Sequence, residues 1–280
     1  MPNKSTQILM CPPEFYGIEY EINPWMDRWQ GADPQIAERQ WTALRGAIEE
    51  AGAATSLLPA VEGLPDMVFT ANAALIFRDR AILANFRHAE RQGEVRHSKT
   101  WLAANGFTVE SAPADTSFEG AGDALFCGET LFAGYRIRSD AAGHQRIAGS
   151  IGVRVIPLEL VDPFFYHLDT CFCPLSARSA MWFPTAFDDY GRRVIRDLIP
   201  ELIEVEPDEA RRFACNAVVI GSTVITNTGC DKLHATLADR GFTGVATPLD
   251  EFVKAGGSAK CLTLRLDGEE AAIWRDATFD

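Results

Sequence analysis

The chain has 280 residues, of which 47% are hydrophobic and 23% charged, with a net charge of −13 and an isoelectric point near 4.9. The length suits one large domain or two small ones and can bury a core without disulfide staples. The acidic balance argues against nucleic acid, which needs a basic footprint, and against anionic membrane surfaces.

Residues 7 to 30 read as an irregular entry, because prolines at 12, 13 and 24 forbid a regular helix. Asp33-Pro34 then starts a helix, with Asp33 as N-cap and Pro34 at the first helical position. Its apolar residues Ile36, Trp41, Leu44 and Ile48 share one face, and it ends near Ala51-Gly52. Ala54–Leu58 reads as a short strand.

A pattern of two strands, a helix and a third strand then recurs about every 45 residues, within the range of propellers and arrays. The first copy has strands Met67–Phe77 and Ala81–Phe86, a helix near 94–105 and a strand Phe107–Ala112. The second has Ala124–Phe126, Thr130–Tyr135, a helix near 140–151 and Val153–Leu158. The third has His167–Leu175, Ser179–Phe183, a helix near 187–198 and Leu202–Val205. The fourth has Asn216–Ile220, Thr223–Asn227, a helix near 230–239 and Gly244–Ala246. A fifth begins with Lys260–Leu266 and Ala271–Trp274, and the N-terminal helix and strand complete it. Hairpin turns such as Cys127-Gly128-Glu129 and Gly221-Ser222 carry the expected residues. Five such units, closed by joining the two chain ends, predict a ring that leaves no sheet edge open and gathers residues from every unit at its centre. No linker divides the chain, so a single domain over residues 1–280 is expected.

Candidate chemistry lies near the strand starts. The seven cysteines, at 11, 127, 171, 173, 215, 230 and 261, are an odd number and sit mostly in apolar runs. That fits free thiols in a reducing cytoplasm. Cys171 and Cys173 have no second pair at zinc-finger spacing, so no metal site is expected. Cys261 follows the flexible Gly256-Gly257 pair where a loop meets a strand. It reads as a nucleophilic thiolate or as a small buried residue. Cysteines 127, 171, 173, 215 and 230 read as packing residues. Phe118-Glu119-Gly120-Ala121-Gly122-Asp123 is an acidic glycine-rich loop. It is either a plain turn or a place where Glu119 binds a cation or shuttles a proton. His167 and Asp169, two apart on a strand, form either an acid/base pair or a structural hydrogen-bonded pair. Asp66 and Asn72 flank a short strand, and Asn72 either caps a turn or meets a ligand. Arg91 and Arg138 sit in loop-like stretches, where two guanidinium groups converging on one pocket would grip a carboxylate.

Together, Asp66 to Asn72, Phe118-Glu119-Gly120, His167-Leu168-Asp169-Thr170 and Gly256-Gly257-Ser258-Ala259-Lys260-Cys261-Leu262 resemble the guanidino-group-modifying, or pentein, superfamily from about residue 8 to residue 274. That superfamily includes arginine deiminases, dimethylargininases and glycine amidinotransferases. The resemblance implies a five-bladed α/β propeller. It implies Cys261 as nucleophile, His167 as acid/base, and Glu119 with Asp169 as ligands of the guanidinium. It further implies Asp66 as a polar residue of the first strand, and Arg91 with Arg138 as carboxylate-binding arginines. One departure bears on the subclass: Asn72 stands where deiminases and dimethylargininases typically carry Asp. With Met10-Cys11-Pro12-Pro13 and Ile22-Asn23-Pro24-Trp25-Met26, this is similar to the arginine dihydrolase module at the front of bifunctional bacterial proteins, here expected to stand alone. Such a module turns arginine into ornithine, two ammonia and carbon dioxide. Asn72, helped by Asn23, would hold neutral citrulline as well as cationic arginine, since an amide both donates and accepts. The rivals are a one-step deiminase or dimethylargininase, then an amidinotransferase, then a non-enzymatic binding module such as translation initiation factor six. The expectation is a cytoplasmic hydrolase acting on a small guanidine without cofactor or metal, with no nucleic-acid or membrane partner and with homo-oligomerisation left open.

Overall fold

The computed structural model describes residues 6–276. Among these, fifteen strands form five three-stranded sheets. Within each sheet the central strand is antiparallel to the strand nearest the axis and parallel to the outer one. Except in the closing blade, whose antiparallel pair joins distant parts of the chain, a tight hairpin makes the first connection, and a parallel pairing needs a crossover, which a helix supplies. The second blade, for example, joins Ala124–Cys127 to Thr130–Tyr135 by a hairpin and returns through the helix Ala141–Ile151 to Arg154–Glu159. The molecule is thus a five-bladed α/β propeller of pentein type.

Burial falls outward across each blade. The innermost strands Ala74–Phe77, Ala124–Cys127 and Val218–Ile220 are buried at every position. The outer strands Thr108–Ser111 and Glu201–Glu204 are largely open to solvent. Continuous apolar runs suit strands covered on both faces. Helices close the rim. Trp41, Leu44 and Ile48 of the helix Pro34–Glu50 pack against Ile8, Met10, Val218 and Ile225, which joins the closing blade and the fourth unit in one core. Burying each such side chain contributes about 1.5–3 kcal/mol.

Three parts of the sequence reading change. Gln7–Met10 is a strand, the centre of the closing blade, paired with Leu264–Arg265 on one side and Ala54–Leu57 on the other. Its four residues stop just before Pro12-Pro13, too few to show a period. Ala271–Trp274 is not a strand: Ala272 makes a single bridge to Gly128, and Ile273–Asp276 is one helical turn. Finally, the runs read as long inner strands begin as tight turns. Pro65–Val68 and Thr70–Ala73 precede Ala74–Phe77, Leu168–Thr170 precedes Phe172–Ser176, and residues 258–263 turn before the short strand Leu264–Arg265. His167 and Asp169 therefore do not share a strand face. No helix among the described residues is long and apolar enough to cross a membrane.

Candidate active site

These turns, with the one ending at Asn216, meet at the ring's centre and hydrogen-bond in sequence. The amide of Asn72 donates to the Glu119 carbonyl (3.5 Å), and Asp123 accepts from the Leu168 N–H (3.0 Å). The Asn216 amide donates to the Asp169 carbonyl (3.1 Å) and accepts from the Cys261 N–H (3.1 Å). The Ala71 N–H donates to the Cys261 carbonyl (3.2 Å) and closes the circle. Glycines make the approach feasible. A Cβ on Gly122 would collide with the Asn72 amide. One on Gly256, whose φ is +82°, would lie 2.8 Å from the Tyr166 hydroxyl and 2.9 Å from Asn23 Oδ1.

Cys261 is 2% exposed. Its sulfur lies 3.4 Å from Asp169 Oδ2 and 3.1 Å from Asn216 Nδ2. Burial, reinforced by the neighbouring Asp169 carboxyl, pushes the thiol well above its ordinary value. Burial also pushes Asp169 up to about 7, against the opposing pull of Lys260. The geometry is that of a thiol donating its proton to a carboxyl, with Asp169 Oδ1 buried and unpartnered.

His167 Nε2 lies 2.6 Å from Glu119 Oε2, which also accepts from Arg138 Nη1 at 3.0 Å. Burial opposes ionisation of Glu119, but the Arg138 charge and the His167 hydrogen bond outweigh it and hold the carboxyl below the usual range. Burial lowers His167 to about 4 despite the pull of Glu119. A carboxylate only accepts, so the neutral imidazole carries its proton on Nε2. Its Nδ1 is left bare, buried and without a partner.

Asn23, Asp66, Asn72, Arg91, Arg138 and Cys261 line one cleft beside this group. Arg91, on the short helix Ala89–Gln92, is buried rather than solvated. It pairs in a fork with Glu94 (2.8 and 2.9 Å), donates to Asn72 Oδ1 (2.9 Å) and lies 3.8 Å from Asp66. Arg138 stacks on Tyr166 at 4.6 Å and donates to the Ile22 carbonyl (2.8 Å). Asn23 donates to the Ala255 carbonyl (3.0 Å). All nine residues singled out in the sequence are thus gathered at one end of the axis. Glu119, His167 and Asp169 are not among the residues lining the cleft. Among the described residues, no group of three or more His, Cys, Asp or Glu side chains is placed to hold a metal ion.

The model of the eukaryotic N,N dimethylarginine dimethylhydrolase family matches residues 22–267. The chain belongs to this family. The dimethylarginine dimethylhydrolase relatives include the N(G),N(G)-dimethylarginine dimethylaminohydrolase of Mycobacterium tuberculosis, 38% identical over 94% of this chain and 86% of that protein. The bifunctional arginine dihydrolase/ornithine cyclodeaminase ArgZ of Synechocystis sp. is 48% identical over 93% of this chain, which spans only 37% of that protein. A crystal structure of the ArgZ N-terminal domain, an asparagine-to-serine variant covalently bonded to a reaction intermediate, superposes with a TM-score of 0.92. It is 46% identical and covers 95% of this chain and 100% of its own.

Reading by residue type missed two buried members of this cluster. Asn216 is the chief of them, a fully buried amide on the Cys261 sulfur. It stood as the one strongly polar residue of the run Phe213-Ala-Cys-Asn216-Ala-Val-Val. The signal available was the cost of burying an amide in such a run. Glu94 was also missed. Burial pushes it up to about 7 beside Arg91, which works against the shift. It closes the stretch Glu90-Arg91-Gln92-Gly93-Glu94, whose mixed charges mark no site.

Proposed function

We propose that this chain is a single catalytic domain, a cytoplasmic arginine dihydrolase that cuts the guanidinium of L-arginine through Cys261. The observation that carries this reading is a buried set at the ring's centre beside the cleft: a thiol 3.4 Å from Asp169, an unpartnered Asp169 oxygen, and an unpartnered imidazole nitrogen on His167. An orphaned buried acceptor beside a nucleophile fits a cation that brings N–H donors. Arginine supplies those donors, and its positive charge favours ionisation of the Cys261–Asp169 pair that burial otherwise keeps protonated.

The Cys261 proton passes to the bare Nδ1 of His167, the thiolate attacks the guanidinium carbon, and ammonia departs with that proton delivered by His167. His167 then takes a proton from water. The hydroxide adds to the S-alkylthiouronium carbon, the C–S bond breaks, and citrulline and the thiolate result. A second attack on the ureido carbon expels the second ammonia, and hydrolysis leaves a carbamate that falls apart to ornithine and carbon dioxide. Asp169 holds the cation, Glu119 keeps His167 in its tautomer, and Arg138 with Arg91 receives the substrate carboxylate. Asn72 supports the second round, because its amide also suits the neutral ureido group. The cysteine and asparagine that were varied in the ArgZ structures with substrate and with intermediate are the residue types offered here at Cys261 and Asn72. The second reading is a one-step dimethylargininase or deiminase, favoured by the description of the matched family.

Product analysis with L-arginine decides between them. The expected outcome is ornithine with two ammonia per arginine, and for Cys261→Ser a loss of turnover on the order of 10³-fold or more. Asn72→Asp should shift the product toward citrulline. Native ornithine output from Asn72→Asp would refute the account of the second step, and citrulline from the native protein would refute the dihydrolase.

A further inference from the structure

The side chain of Asn216 is fully buried, and all four of its hydrogen-bonding positions are used. Its Oδ1 accepts from the backbone N–H of Ser258 and of Cys261, each at 3.1 Å. Its Nδ2 donates to the Asp169 carbonyl and to the Cys261 sulfur, each at 3.1 Å. The orientation of the amide is not arbitrary. Two backbone N–H groups require an acceptor, so the oxygen must face them and the nitrogen must face the carbonyl and the sulfur. The Asn216 main chain adds a fifth link, since its carbonyl accepts from the Lys260 N–H at 3.2 Å. The turn that carries the nucleophile is therefore fastened from the preceding blade, at a sequence separation of 45 residues.

We propose that Asn216 is a further catalytic residue of this site, whose carboxamide both clamps the Cys261 turn and donates a hydrogen bond to the reacting sulfur. The proposal rests on the reading of Cys261 as nucleophile. A donor fixed on sulfur binds it more strongly as an anion than as a thiol, because hydrogen bonds to charged acceptors are the stronger ones. It also requires no rearrangement at the moment of reaction. The sulfur is anionic before each attack and again whenever the C–S bond breaks, so one preset donor serves every stage. It acts against two neighbours that oppose the anion, the apolar surroundings and the Asp169 carboxyl. Asn216 itself forms and breaks no covalent bond.

Two substitutions separate the clamp from the donor. Asn216→Asp keeps an acceptor for the two backbone N–H groups but has no N–H for the sulfur. Asn216→Ala removes both. The readout is the rate at which iodoacetamide alkylates Cys261 across pH, with the adduct located by mass spectrometry, together with kcat and KM on L-arginine and a thermal melt. In both variants the alkylation profile should move to higher pH by about one unit or more. Turnover should fall about 10²-fold in kcat, the scale on which a preset donor to a charged reacting atom matters, while KM changes far less. A native alkylation profile and native kcat in a folded variant would overturn the proposal, even if the melt alone were lower. Should neither variant fold, ¹⁵N-labelled native protein gives the answer: the Asn216 side-chain amide resonance must move as Cys261 titrates or is alkylated, and a resonance that stays put refutes the contact. Turnover surviving in Cys261→Ser would instead overturn the nucleophile reading. The two failures are distinct, because the amide–sulfur coupling is read without turnover.

Discussion

Asp169 faces the thiol with one oxygen and has nothing on the other. Burial lifts its carboxyl to about 7, so the charge a guanidinium needs is absent below that pH and present above it. Arginine stays cationic throughout. On L-arginine, kcat/KM should therefore rise with pH through about 7 and fall as pH drops, and a profile flat from pH 6 to 8 would sink this assignment. Stability runs the other way. A raised folded pKa means that the native state holds a proton the unfolded chain has released, so the stability this confers is present below the ordinary carboxylate value and lost as pH rises toward 7. Asn at 169 has no charge to desolvate. Asp169→Asn should be inactive yet melt higher than the native protein at pH 8. Cys261, His167 and Asp169 could be singled out in the sequence because few residue types do such chemistry. Asn216 was not, because an amide reveals its purpose only through what it touches, and its partners are distant in sequence.

At the scale of elements, legibility followed periodicity. The five longest helices were found within a residue or two, and Asp33 caps the first as expected, its Oδ1 accepting from Gln35 N (2.9 Å) and Ile36 N (3.0 Å). Asp33→Ala should cost about 1 kcal/mol, seen as a fall in Tm of about 2–4 °C, with kcat unchanged. An unchanged melt would show that Pro34 and packing set the helix start. The central turns were missed for the same physical reason. They are built of one or two tight turns, such as Leu168–Thr170 alone or Pro65–Val68 followed by Thr70–Ala73, and are too short to display a repeat. They read as extensions of the buried strands that follow. Those short turns nevertheless aim the site, since they let His167 and Asp169 point to different partners, Glu119 and Cys261.

The ring as a whole closes where the two ends of the chain share a blade, with Ile8 opposite Arg265 and Leu9 opposite Leu264. Arg265 is 5% exposed and pins three segments there: it donates to the Val219 carbonyl (2.7 Å) and Thr6 Oγ1 (2.9 Å) and pairs with Asp267 and Glu270. Arg265→Met should cost about 3–5 kcal/mol in urea unfolding, as removal of a buried ionic partner does. It should also speed amide exchange at Gln7–Met10. The exposed Arg45–Glu49 pair offers the contrast, since Arg45→Met should cost no more than about 1 kcal/mol. Equal costs would mean that the closing blade is held by its strands alone.

That shared blade also sets an order in time. As the chain leaves the ribosome, Gln7–Met10 gains its partner Ala54–Leu57 early, but its other edge stays bare until residues 264–265 have been made. Glu119, His167 and Asn216 emerge before Cys261, and the central circle of hydrogen bonds between Ala71 and Cys261 stays open until the chain has reached the same short strand that covers the bare edge.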